Sequence, residues 1–186
     1  AWARRRGIDR RGIQFVLTFP EAVTGRRTTP RSLVQFFTLL EGIDDLEGDW
    51  ELARTLAEAC LDPETVAAFA TFVQQRLHRL PGPAAILGAG AFSREVATPL
   101  RELICRDVLR VDILAGLCRR LVNELKSRQG ACTEDEVDNL KAFLQLDFLP
   151  NELRLGLMQE LVDLNAAPLE RLMADPQLGR LFLDQD

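Results

Sequence analysis

Apolar residues along this chain recur at three- and four-residue intervals, the spacing of one helix face, and no stretch of period-two alternation bounded by turn residues marks a strand. Ile13, Phe15, Val16 and Phe19 predict a first helix over Arg10 to Leu17, stopped at Pro20 or running into a short turn there. A second helix is predicted from Pro30 to about Leu40, with Gly42 closing it. Trp50, Leu52, Ala53, Leu56, Ala57 and Cys60 keep helical spacing and define a third. Asp62-Pro63 then restarts the chain with an N-cap and a first-position proline, and Val66, Phe69, Ala70, Val73 and Leu77 carry that helix inward to about Leu80.

Pro81-Gly82-Pro83 followed by Gly88-Ala89-Gly90 interrupts the pattern, because proline and glycine at that density do not continue a helix. Residues 1–80 therefore form one helical domain, 81–91 a linker, and 92–186 a second helical bundle. Beyond the linker, Thr98-Pro99 opens a helix to about Val108. Val111, Ile113, Leu114, Leu117, Cys118, Leu121, Val122 and Leu125 make a long amphipathic helix ending near Gly130. Thr133 and Glu136 have the spacing of a capping box ahead of Val137, Leu140, Phe143 and Leu144. A helix from Pro150 to Leu164 and short ones near Pro168 and Asp175-Pro176 complete an all-α chain of two small bundles.

At 186 residues and 47% hydrophobic, the chain can bury one good core or two small ones. No apolar run approaches the roughly 20 residues that cross a bilayer, and the Arg-rich start lacks a secretory signal's apolar core, so the expectation is a cytoplasmic protein with no membrane partner. The 4 cysteines, Cys60, Cys105, Cys118 and Cys132, are widely spaced and lie mostly in apolar helical patterns, which reads as reduced core thiols rather than a zinc site.

Charge is unevenly distributed. Residues 1–31 hold eight arginines against Asp9 and Glu21, a balance of +6, whereas the remainder of a chain with net charge −5 carries −11. A basic head of this kind suits phosphate-bearing ligands, an acidic neighbouring surface or nucleic acid, or is a solvated start.

Thr28-Thr29-Pro30-Arg31-Ser32-Leu33 gives that charge a place. Thr29 is suited to N-cap and Pro30 to the first helical position, so Arg31 falls in the first turn. There the helix dipole is positive and carboxylates are the usual occupants, which leaves an arginine mildly disfavoured unless an anion such as a phosphate joins it. Other chemistry is sparse. No G-x-x-x-x-G-K-[ST] is present, and Gly88-Ala89-Gly90 lacks both a preceding strand and a third glycine at nucleotide-loop spacing. The single histidine, His78, follows Arg76 and precedes Arg79 at a helix end, where a cation complements the dipole. Asp44-Asp45-Leu46-Glu47 and Glu134-Asp135-Glu136 read as solvated loop and helix-start charges without a calcium-loop pattern.

From about Asp9 to Leu80, and above all in the Thr29-Pro30-Arg31 tripeptide, the chain resembles the helical lid of AAA+ ATPases, in particular the MoxR-like and dynein-related branch. Glu41-Gly42-Ile43-Asp44-Asp45-Leu46 leading into the Trp50 helix resembles that lid's layout as well. In the family, an [ST]-P-R at a lid-helix start supplies the sensor 2 arginine. The resemblance thus implies that Arg31 senses nucleotide phosphates, with Thr29 and Pro30 setting the helix start and Arg26 and Arg27 adding to the field or meeting a neighbouring subunit. It also implies a parent enzyme that binds ATP and Mg through a core ahead of Ala1, with the core domain and adjacent subunits of a ring oligomer as partners. The phosphate loop, the magnesium-holding acidic strand end and the arginine finger are absent from this chain, so the chain alone is expected to have no catalytic residue and to bind no cofactor. Because it opens on Ala1 in a charged segment, it is read as the C-terminal part of such an ATPase, its second module serving assembly or an unknown protein client.

Two other classes fit the residues. One is a freestanding helical adaptor, with Leu153, Leu157, Leu161 and Leu164 as the stripe that would meet a protein partner. The other is a nucleic-acid module using the basic head, against which stand the few aromatics there and the acidic remainder.

Overall fold

The computed structural model describes residues 7–105, 108–173, 176 and 178. Arg4, Arg5, Arg6 and Asp175, where a short helix is expected to start, lie outside them. The chain is all-α: 70% of it is helical, and no strand occurs among the described residues. It divides into two compact units, Ala1–Arg79 and Leu80–Asp186.

Among the described residues the first unit holds four α-helices: α1 (Arg10–Thr18), α2 (Pro30–Leu40), α3 (Trp50–Cys60) and α4 (Pro63–Gln74), with 3-10 turns at Pro20–Val23 and Leu77–Arg79. Its core is aromatic. Phe15, Phe36, Phe69 and Phe72 are fully buried. Phe69 sits at the centre, its ring edge-on to Phe15 at 5.4 Å and to Phe36 at 5.0 Å and stacked under Trp50 at 6.3 Å. Such pairs add about 0.5–1.5 kcal/mol each beyond the area they bury. The third helix turns only Ala53 and Ala57 fully inward, whereas Leu52, expected inside, is 54% exposed.

Three details in this unit differ from the sequence expectation. α2 ends at Leu40 as expected, but Glu41 caps it in right-handed geometry and Gly42 does not take the left-handed conformation of a glycine stop. The fourth helix ends at Gln74 rather than near Leu80, because Arg76 adopts a left-handed φ of 56° and the chain turns there. Asp62 stands at the N-cap position of α4, but its carboxylate makes no capping bond to that helix. It is engaged elsewhere, as described below.

The second unit comprises α5 (Pro83–Leu87), a π turn at Ser93–Ala97 continuing into α6 (Thr98–Ile104), α7 (Val111–Ser127), α8 (Glu134–Leu144), α9 (Asn151–Asp163) and α10 (Ala167–Met173). Leu114, Leu117, Leu121 and Leu125 line the buried face of α7. This helix packs against α9 and α5, while α8 packs against α5 and α10. Thr133 and Glu136 form the expected capping box. At its other end α7 is closed by Gln129 and Gly130 at φ 55° and 76°, the Gly130 N–H returning to the Leu125 carbonyl.

Residues 81–91, expected as a linker, instead carry α5, whose Pro83, Ile86 and Leu87 are buried. The carbonyls of Leu87 and Ala89 accept from the buried Asn139 amide at 2.7 and 2.9 Å, which fixes the Gly88-Ala89-Gly90 bend to α8. Thr98 is the first residue of α6, as expected, but the helix continues from the π turn rather than from a cap and ends at Ile104 instead of near Val108. Pro99 has no N–H to offer the ladder, and the turn before it widens so that the Thr98 N–H reaches back to the Ser93 carbonyl. Among the described residues no helix is long and apolar enough to cross a membrane.

Candidate functional site

The start of α2 is set by a loop that a distant helix holds. Residues 24–29 run past the beginning of α4, and the Asp62 carboxylate accepts the Arg27 N–H at 2.8 Å and the Thr28 N–H at 2.6 Å. The Asp62 N–H in turn donates to the Thr28 hydroxyl at 2.9 Å. Thr65 gives its only hydroxyl proton to the Ala22 carbonyl at 2.6 Å, so in the 2.8 Å bond between the two threonines Thr28 is the donor. Thr28 and Thr65 are 2% and 1% exposed, so this network is inside the unit. A Cβ on Gly25 would collide with the Asp62 carboxylate, which reserves the position for glycine. The two backbone N–H bonds, the one from Thr28 foremost, hold the Asp62 carboxyl below its ordinary value of 3.8.

Thr29 then caps the helix as its sequence position predicts, accepting from the Ser32 N–H at 3.2 Å. Ser32 completes a capping box by accepting the Thr29 N–H at 2.8 Å while donating to the Arg27 carbonyl at 2.6 Å. Pro30 occupies the first helical position. The Leu33 N–H goes to the Thr29 carbonyl at 2.9 Å. Of the first-turn donors, the Arg31 N–H is left without an acceptor among the described residues.

The three arginines around this turn divide. The Arg27 guanidinium donates to the Glu58 and Ala59 carbonyls at 3.2 and 2.8 Å, and so closes the last turn of α3. Its charge is used within the unit and is not directed outward. The Arg26 and Arg31 side chains are exposed and have no hydrogen bond or ion pair with a described residue. No carboxylate occupies the first turn of α2. The exposed helix start thus presents one free backbone N–H and an unpaired guanidinium on Arg31, with Arg26 nearby in sequence. Arg11 is also spoken for. It pairs with Asp9 at 2.6 Å and donates to the Leu40 and Ile43 carbonyls at 2.7 and 2.5 Å, closing the far end of α2. Burial works against the charge on Asp9, but the hydrogen bonds from Arg11 outweigh it and hold that carboxyl low.

The remaining candidates carry less. In the glycine bend the Gly90 N–H donates to Glu95 at 3.1 Å, and a carboxylate in that position would repel phosphate. No group of three His, Cys, Asp or Glu able to hold a metal occurs among the described residues. The cysteines are free. Burial pushes all four thiols up, Cys118 to about 12, which keeps them protonated and unreactive at neutral pH. Leu157 and Leu161, central to the proposed partner stripe, are 2% and 1% exposed and belong to the core of the second unit.

Sequence reasoning missed two clusters. The Asp62 network had a faint sign in Gly25 and Thr28, but its partners lie 34 residues away. The other joins Glu47, expected to be solvated, to Arg76 at 2.9 Å and Arg79 at 2.5 Å, with His78 alongside. No protein family, no curated protein and no solved structure matches the chain.

Proposed function

We propose that this chain is the C-terminal helical part of a AAA+ ATPase, its first unit the lid and Arg31 the sensor 2 arginine. The observation that carries the reading is the state of Arg31. Its N–H and its guanidinium are both unpartnered at a capped, carboxylate-free helix start, while neighbouring Arg27 is consumed by a helix end. A phosphate at that end would meet a backbone donor, the positive end of the helix and a forked cation together. The residues present therefore suit the terminal phosphates of ATP. Magnesium would be held by the ATPase core, since these residues supply no acidic ligand set for it.

In this reading Arg31 hydrogen-bonds the phosphates across the cleft between core and lid, and the lid angle follows the nucleotide state. The loop beneath Arg31 is pinned by Asp62 to α4, so a displacement at the phosphate is carried into the lid core rather than absorbed locally. The second unit serves ring assembly or a protein client, and the parent protein works in the cytoplasm.

The test is to read the parent coding sequence and then assay its product. A G-x-x-x-x-G-K-[ST] loop ahead of residue 1 is expected, and in that full-length protein Arg31→Ala slows ATP turnover at least tenfold. An unchanged turnover removes the sensor assignment, and a parent without that loop removes the ATPase reading.

A further inference from the structure

Glu47, Arg76, His78 and Arg79 form a cluster that phosphate sensing leaves unused. The loop before α3 brings Glu47, and the turn leaving α4 brings the other three. The Glu47 carboxylate holds Arg76 Nε at 2.9 Å and Arg79 Nη2 at 2.5 Å, and its Oε1 lies 3.5 Å from His78 Nε2. The His78 side chain is only 9% exposed, and its ring centre is 6.2 Å from that of Phe72. Its Nδ1 is buried with no hydrogen-bond partner among the described residues. From the opposite side, Gln14 Nε2 donates to the Leu77 carbonyl at 2.5 Å. The turn is therefore clamped between α1 and the Glu47 loop, with Arg76 in a left-handed conformation that L side chains rarely adopt.

We infer that His78 is a proton-operated latch on the 76–79 turn. While neutral, the imidazole points Nε2–H toward Glu47 and keeps a bare Nδ1 inside, at the desolvation cost of one neutral acceptor. Protonation places a second N–H on Nδ1, where no acceptor stands, and puts a charge against the Phe72 ring. Glu47 and, more weakly, Asp45 favour that charge; burial, Arg79 and Arg11 oppose it. The Glu47 carboxylate faces two guanidinium groups, and its Oε1, which has no hydrogen-bond partner among the described residues, meets only the Nε2 side of the imidazolium and offers nothing to Nδ1. The ring accordingly leaves its pocket on protonation, and the last turn before the chain passes to the second unit loosens.

The direction with pH follows from burial, which pulls the His78 value below its ordinary 6.5. A base held neutral by the fold contributes stability that is complete above 6.5 and is lost as pH falls below 6.5 toward the folded value. His78 is the chain's 1 histidine, so its ring resonances can be followed in the intact protein without assignment by mutation.

The experiment is an NMR titration of the full chain from pH 8 to 5, with amide exchange measured in parallel. The imidazole midpoint is expected below 6.5. The Arg76 and Arg79 N–H groups, which bond the Val73 and Arg76 carbonyls at 2.9 Å, should exchange several-fold faster at pH 5.5 than at 7 after correction for intrinsic rates. Glu47→Gln should lower the midpoint further, and His78→Phe should remove the exchange step. A midpoint at or above 6.5, a low midpoint without the step, or an equal step in His78→Phe overturns the latch. If His78→Phe does not fold, the wild-type midpoint and exchange step decide alone.

Discussion

The two units close their helix ends with the same device but at different depths. In the first, Arg11 and Arg27 lay guanidinium groups on the carbonyls that end α2 and α3 from the half-buried and exposed surface. In the second, Arg154 does so from inside: it is 5% exposed and donates to the Leu144, Leu146 and Leu149 carbonyls at 2.7, 3.1 and 3.1 Å, with Asn151 as a fourth acceptor. The cores differ too. Five buried phenylalanines fill the first unit, whereas the buried face of α7 is leucine-rich. An arginine's role is thus set by which carbonyls and carboxylates lie within its reach, and in the first unit Arg10, Arg26 and Arg31 have neither among the described residues.

The largest effects should separate the cores. Phe69→Ala removes the ring shared by Phe15, Phe36 and Trp50 and is expected to cost about 4 kcal/mol. Leu121→Ala in the second unit should cost about 3 kcal/mol. Trp50 belongs to the first unit, and neither of the 2 tryptophans lies in the second. In urea titrations, tryptophan fluorescence should therefore shift its midpoint strongly for Phe69→Ala, while the Leu121→Ala loss should show mainly in far-UV circular dichroism. Equal shifts of both signals in both variants would mean that the units unfold together.

The arginine comparison comes next in size. Arg154→Met strands the Leu144 and Leu149 carbonyls in the interior, the Leu146 carbonyl keeping the Leu149 N–H, and is expected to cost about 3 kcal/mol, since buried polar groups left unpaired carry their full desolvation penalty. Arg11→Met should cost about 1–2 kcal/mol because water reaches part of that site. Arg27→Met should cost under about 1 kcal/mol, as exposed cations at helix ends do. Urea unfolding of the three variants checks the order, and a loss for Arg27→Met as large as that for Arg154→Met would break the link to burial.

These contrasts also mark where the sequence was readable. Thr29-Pro30 and Thr133 with Glu136 carry local chemistry that fixes a helix start whatever surrounds it, and both starts stand where expected. The end of α4 has no proline or glycine to announce it, because the break is Arg76 in a left-handed conformation with its guanidinium held by Glu47. Asp62 has the composition of a cap, but two N–H groups from another part of the chain compete for its carboxylate and win. The bend at 88–90 is polar backbone that would join a linker if Asn139 did not satisfy it. At the candidate site the sequence identified Arg31 and its cap. That Arg27 would be consumed and Arg31 left free depends on where α3 ends in space.

A smaller effect tests the Asp62 pin. Its carboxyl is held below 3.8, so its contribution to stability is present above that value and is lost as pH falls through the folded value. Asp62→Asn should therefore lower the melting temperature at pH 7 and flatten the acid limb of stability below about pH 4 relative to the wild type. An acid limb parallel to the wild type would show that Asp62 does not supply it.

Arg31→Ala should have the smallest effect on folding and is for that reason the sharpest probe of the site. The side chain is exposed and unpaired, so the loss should stay within about 0.5 kcal/mol. Removing an unpaired cation from the positive end of α2 can even raise stability slightly. Arg27→Met, four residues earlier, supplies the contrast: a lower unfolding midpoint from an arginine whose charge is used internally. If Arg31→Ala destabilises the chain as much as Arg27→Met does, Arg31 is a structural residue and the phosphate reading loses its ground. If its midpoint is unchanged or raised while Arg27→Met falls, the helix start is holding a cation that the fold does not need, which is the condition a phosphate-sensing arginine must meet.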